Sequence, residues 1–131
     1  MGKPSDKMRQ VFDFVLKAQT AALKAARPGV ACGDIDAAAR KVVADSGYGP
    51  GYKYFTHRVG HGMGLDMHEW PYLVKDNKLA LAPGMTFSDE PGIYIPGEFG
   101  VRLQDDMLIT EKGAELLTPQ SPSIEKPFAR A

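Results

Sequence analysis

The sequence predicts an α+β fold in which two amino-terminal helices pack on an antiparallel sheet, and three observations carry that prediction. Apolar residues recur at helical spacing along the amino-terminal part of the chain. After Gly47 this periodicity gives way to glycine-rich loops and short alternating runs. Between two of those runs, Pro96-Gly97-Glu98 reads as a hairpin turn, a connection that joins antiparallel strands.

The first helix is announced by Ser5, a good N-cap, and by Asp6, which suits the positive end of the helix dipole. Met8, Val11, Phe12, Val15, Leu16, Ala22, Leu23 and Ala26 form its apolar stripe, and Pro28-Gly29 stops it. A second helix has Asp34 and Asp36 in its first turn, the series Ile35, Ala38, Ala39, Val42, Val43, and Gly47 as its stop. One stripe on each helix places both on the same sheet.

Strand-like runs cover Met85 to Glu90, Gly92 to Ile95 and Phe99 to Leu108. Alternation puts Thr86, Ser88 and Glu90 on one face and Phe87 on the other. Phe99, Val101 and Leu103 likewise alternate with Gly100, Arg102 and Gln104, so one face is polar and suits a site. A chain of 131 residues, 44% hydrophobic, is the size of one domain with one core. Residues 1–117 are expected to form it, and the proline-rich tail 118–131, TPQSPSIEKPFARA, to be loosely held.

Sixteen basic residues balance sixteen acidic ones, which argues against nucleic acid or an anionic membrane surface as partner. No apolar run approaches the ~20 residues needed to cross a bilayer, and MGKPSDKMRQ has no apolar signal core. The single Cys32 excludes an internal disulfide and suits a reducing compartment, so a cytoplasmic location is expected.

All three histidines fall within HRVGHGMGLDMHEW, from His57 to Trp70. Gly60, Gly62 and Gly64 make a helix costly there; an extended strand with close backbone approach fits better and puts His57 and His61 on one side. An HExxH zinc motif fails because His68-Glu69-Trp70-Pro71 is followed by Tyr72. Gly60 to Leu65 has the wrong spacing for GxGxxG, and GxSxG occurs nowhere. A single histidine is more often a hydrogen-bonded structural residue than a ligand, but three among glycines point to a site.

Three ordered blocks, His57-Arg-Val-Gly-His61-Gly-Met-Gly-Leu-Asp-Met-His68-Glu-Trp-Pro71, Pro83-Gly84-Met85-Thr-Phe-Ser-Asp-Glu90-Pro91-Gly92 and Gly100-Val-Arg102-Leu-Gln104-Asp105-Asp106, resemble the pita-bread metallopeptidases. Within that family, which includes methionine aminopeptidase-like members, the chain looks most like the prolidase and aminopeptidase P branch. The resemblance runs from Pro4-Ser5 through nearly the whole chain. It implies cleavage of Xaa-Pro bonds at a dinuclear centre of manganese, cobalt or zinc, held by two aspartates, one histidine and two glutamates. On that pattern His61 and Glu90 are metal ligands, and His57, His68 and Arg102 position the peptide or assist proton transfer.

Two departures set further expectations. The family's two aspartates precede the long helix with which this sequence begins, so the chain is expected to comprise only the carboxy-terminal half of the catalytic fold. Gln104 stands where the resemblance places the second glutamate, and a neutral amide bridges two cations poorly. Two divalent ions ~3.5 Å apart repel by roughly 20 kcal/mol even at an effective dielectric of ~20, so the anionic ligands matter. Asp66, Asp89, Asp105 and Asp106 are not expected to replace them, because Asp89 and Asp105 alternate away from Glu90 and Gln104 on their strands and isolated aspartates are usually solvated or turn-forming. Three functions follow: a weak or inactive Xaa-Pro metallopeptidase acting on small peptides, a non-catalytic peptide-binding or assembly module, or a metal-independent esterase using the histidines. An uncovered sheet edge favours a homodimer.

Overall fold

The computed structural model describes residues 2–129; the expected tail's last residues, 130 and 131, lie outside that range. Helix α1 spans Asp6–Ala25, capped by the Ser5 side chain, which accepts from the Met8 N–H, with Asp6 in its first turn and Lys24 in its last. Its stripe buries Val11, Phe12, Val15 and Ala22 as the spacing predicts, Ala18 is buried with them, and Leu16 is half-buried. Helix α2, Cys32–Val43, buries Ile35, Ala39 and Val43, then widens into a π turn over Ala44–Tyr48, within which Gly47 leaves helical geometry and turns the chain. The two helices pack on each other.

Among the described residues seven strands follow: β1 Gly60–Gly62, β2 Glu69–Leu73, β3 Thr86–Asp89, β4 Gly92–Ile95, β5 Phe99–Arg102, β6 Asp105–Thr110 and β7 Gly113–Leu116. Five form an antiparallel sheet in the order β2-β1-β3-β6-β7, while β4 and β5 make a separate hairpin. Helix α1 packs against β3 and β7, and α2 against β2, so both helices cover the one sheet. Phe55, Val59, Leu73, Phe87, Ile93, Met107 and Ile109 fill the interface with the helices' apolar faces. Each fully buried side chain of this kind contributes roughly 1.5–3 kcal/mol.

The hairpin turn is where the sequence puts it: Gly97 has a φ of +76°, which a side chain tolerates poorly, and the Glu98 N–H donates to the Ile95 carbonyl. Two differences from the sequence reading bear on the site. The run expected from Phe99 to Leu108 is broken at Leu103-Gln104, where the chain leaves the hairpin and enters the main sheet as β6. Within the histidine segment only Gly60–Gly62 and the start of β2, Glu69 and Trp70, are strand, so His57 lies in the loop preceding β1 and does not share a strand face with His61.

Beyond β7 the chain has no helix or strand through residue 129, yet it is tied to the domain. The Thr118 hydroxyl donates to Asp105, Gln120 donates to Gln19 and Thr20, and Glu125 pairs with Arg9.

Candidate metal and peptide site

His61 is buried at the centre of β1, and it reaches that depth because Gly60 lets the strand press against β3. A Cβ on Gly60 would lie 1.9 Å from the Ser88 carbonyl oxygen. From β3, the Ser88 hydroxyl accepts from the His61 backbone N–H and donates to Glu90 Oε1, 3.0 Å in each case. The shared polar face of Ser88 and Glu90 is thus used to hold both side chains.

The His61 ring is oriented by its own neighbour. Its Nδ1 lies 2.9 Å from the Gly62 carbonyl, which can only accept, so Nδ1 carries a hydrogen. The other nitrogen, Nε2, stands 3.1 Å from Glu90 Oε1. Two electron-rich atoms that close need a proton or a cation between them. A backbone carbonyl fixing the tautomer of an imidazole that faces a carboxylate is how proteins prepare a histidine for metal.

The remaining residues named from the sequence surround this pair unequally. His68, exposed in the loop before β2, sets its ring edge-on against His61, centroids 4.5 Å apart. Arg102, half exposed at the end of β5, points a guanidinium nitrogen to within 3.8 Å of Glu90 Oε2. His57 stands further along, its Nδ1 donating to the Arg58 carbonyl and its Nε2 accepting from the Tyr94 hydroxyl, 2.7 Å in each case. Gln104 is exposed in the β5–β6 connection and lines, with Arg102, Pro119 and Phe128, a cavity of about 350 Å³. His61, His68, Glu90 and Arg102 are brought together; Gln104 is not shown in contact with them.

Two of the four aspartates named from the sequence are not solvated, as that residue type usually is, while Asp66 is exposed. Asp89 is wholly buried and Asp105 is only 8% exposed, because β3 and β6 pair with these residues directly opposite and α1 covers them. Gln19 of α1 donates to Asp105 Oδ2 and to the Asp89 carbonyl. Among the described residues the Asp89 carboxylate has no hydrogen-bond partner at either oxygen. Burial, then the Asp105 and Glu90 charges, push the Asp89 carboxyl well above the usual carboxylate range. Burial also raises Asp105, opposed by its bonds from Thr118 and Gln19.

Residues that the sequence reading passed over complete the site. Ser88 was already on the polar face beside Glu90, which was the available signal. Tyr94 had none: it lies over Gly92 and Gly100, where an added Cβ would fall 2.6 and 2.7 Å from its side-chain atoms, and this reach carries its hydroxyl to His57. Burial raises the Tyr94 phenol, with Arg102 opposing.

As a metal holder the donor set is incomplete. One imidazole nitrogen and one carboxylate converge, but among the described residues no group of three or more histidine, cysteine, aspartate or glutamate side chains can hold an ion. The buried Asp89 does not supply the missing charge, since its strand alternation turns it toward α1 and away from His61. These residues do not fit a dinuclear centre by themselves.

Two helices packed on an antiparallel sheet, with His61 of β1 and Glu90 just beyond β3 converging, give the chain the architecture of the pita-bread metallopeptidases. Over residues 1–111 the chain matches metallopeptidase family M24, and it belongs to that family. It is 44% identical over 124 residues to a Xaa-Pro dipeptidase of Lactobacillus delbrueckii subsp. lactis, covering 95% of this chain and 33% of the relative. A Xaa-Pro dipeptidase of Pyrococcus furiosus is 45% identical over 118 residues, covering 90% and 33%. Among solved structures, dipeptidase PepE from Mycobacterium ulcerans superposes with a TM-score of 0.86 at 48% identity, over 92% of this chain and 32% of that one. X-Pro aminopeptidase from Thermotoga maritima gives 0.87 at 41% identity, over 94% and 34%. The chain therefore spans about a third of the length of the relatives it matches.

Proposed function

We propose that this chain supplies the carboxy-terminal part of a Xaa-Pro dipeptidase site, and that by itself it is a weak or inactive hydrolase. His61 and Glu90 are the metal ligands in this reading, for manganese, cobalt or zinc, with Gln104 at the degenerate third position. Arg102 binds the peptide, His68 serves proton transfer beside His61, and His57 lines the approach. The observation that carries the reading is the 3.1 Å approach of His61 Nε2, its tautomer fixed, to Glu90 Oε1.

No hydrolytic step is assigned to a metal, because the ligands of a full centre are not among these residues. What the chain does on its own is chemical positioning. Arg102, half exposed and next to Glu90, offers a planar fork to a peptide carboxylate. The exposed His68 ring stands edge-on beside His61, open to a peptide bound there. Its partners in this reading are small peptides, in a cytoplasmic setting and as a homodimer, with residues 1–117 as the working domain.

Non-catalytic peptide binding is the second reading, and the neutral Gln104 favours it. The esterase reading gains no nucleophile from Ser88, whose hydroxyl beside His61 is buried and engaged with Glu90. The deciding experiment is hydrolysis of a Xaa-Pro dipeptide in manganese by the chain, by Gln104→Glu and by His61→Ala. Activity that rises in Gln104→Glu and vanishes in His61→Ala supports the peptidase reading; binding of the dipeptide without turnover in either of the first two supports the second.

A further inference from the structure

Arg40 projects from α2 into the loop that precedes β1, and all five of its N–H groups meet acceptors. Its Nε and Nη2 donate to the two oxygens of Asp36 at 2.9 and 3.0 Å. Nη1 donates to the carbonyls of Gly51 and Phe55 at 3.1 and 2.6 Å, and Nη2 also donates to the carbonyl of His57 at 2.8 Å. The guanidinium plane lies between two rings, 3.9 Å from the Tyr52 centroid and 4.1 Å from that of Phe55. Asp36 is fully engaged too, because its Oδ1 accepts from the Val59 N–H at 2.9 Å.

The pair is therefore a template for a stretch of backbone with no regular structure. Between Gly51 and Val59 there is no helix or strand to fix the chain, and four of its backbone polar groups end on Arg40 and Asp36. One is the carbonyl of His57, so the peptide plane from which that ring projects is held directly. Another is the N–H of Val59, immediately ahead of the strand that carries His61. Phe55, stacked on Arg40, also packs edge-on against the His57 ring, centroids 5.2 Å apart. The remaining restraints on that ring are the Arg58 carbonyl and the Tyr94 hydroxyl.

We propose that Arg40, oriented by Asp36, is a positioning residue that aims His57 at the peptide and sets the entry of β1 that delivers His61. The proposal rests on the reading of His57 and His61 as site residues. Lysine cannot replace arginine here, because an ammonium has three donors, no planar fork and no face to stack between two rings.

The test reads the His57 ring itself, by side-chain ¹⁵N resonances of the metal-free full chain at about pH 8, above the ordinary imidazole range. In the native protein His57 is the Nδ1–H tautomer with Nε2 accepting. In Arg40→Lys the proposal expects loss of that tautomer preference, with the exposed His68 ring unmoved and far-UV circular dichroism native. A folded Arg40→Lys protein with unchanged His57 resonances overturns it. If Arg40→Lys does not fold, the Asp36→Asn/Arg40→Met double variant removes both charges at similar volume, a change buried pairs often tolerate. Unchanged His57 resonances there overturn the proposal, and failure of both variants to fold assigns the pair to global stability and overturns it as well. If His61→Ala leaves dipeptide hydrolysis untouched, the peptidase reading fails while this readout stands.

Discussion

Asp89→Asn should stabilise the protein, although it alters a residue beside a proposed metal ligand. Asp89 is 0% exposed, and neither carboxylate oxygen has a partner among the described residues. A buried polar group left unsatisfied costs about 1–3 kcal/mol, and the asparagine amide places two donors opposite the Asp105 carboxylate in the β3–β6 register. The gain has a defined pH dependence. The native carboxyl holds its proton well above the 3.8 of the unfolded chain, so between those values the folded state binds more protons than the unfolded one. Native stability from this group is greatest in acid and falls as the pH rises, by about 1.4 kcal/mol per pH unit while the native state stays protonated and the unfolded state does not. Asparagine does not titrate, so the stability difference between variant and native protein should be smallest near pH 4 and widen upward. Urea unfolding in chelator at a series of pH values measures it. A variant no more stable at pH 7, or a difference that does not change with pH, refutes the reasoning.

Other substitutions probe the frame around the histidines. Ser88→Ala leaves the buried His61 N–H without its acceptor and should lower stability by about 1–3 kcal/mol in urea melts; an unchanged midpoint counts against this bond. Gly60→Ala drives a Cβ to 1.9 Å from the Ser88 carbonyl oxygen, and no cooperative thermal transition is expected; a native near-UV spectrum contradicts the close approach. Phe87→Ala, at a wholly buried position on β3, should cost about 3–5 kcal/mol by calorimetry, and a loss under 1 kcal/mol would show that the sheet is not packed as described. Thr118→Val removes one bond that holds the Asp105 carboxyl down, so ¹³C titration should place that group still higher, and an unshifted curve means that the tail does not reach it.

Much of the fold was legible because its elements obey local rules. Ser5 caps α1, the apolar stripes bury where their spacing says, and Pro96-Gly97-Glu98 turns the hairpin. Strand β7, Gly113-Ala-Glu-Leu, was invisible because its residues are weak strand formers and it exists by pairing with β6. The break at Leu103-Gln104 was hidden for a related reason: alternation continues through it, and only the switch from hairpin to sheet reveals it. The histidine, glutamate and arginine positions could be read from motif order, but His57 was misplaced on the strand because its backbone carbonyl accepts from the Arg40 side chain and not from a paired strand. Asp36 read as a helix-dipole residue, and nothing local marks it as the buried partner of Arg40. Alternation could turn Asp89 and Asp105 away from Glu90 and Gln104, but not show their burial, which is decided by α1, more than sixty positions earlier in the chain.

The most direct test of the proposed site is calorimetric titration of manganese into the metal-free chain and into Gln104→Glu and His61→Ala. If His61 and Glu90 are a partial metal site, the native chain binds at most one ion weakly, Gln104→Glu binds more tightly, and His61→Ala loses the binding. Equal binding by all three proteins, or none by Gln104→Glu, contradicts the assignment of His61 and Glu90 as metal ligands.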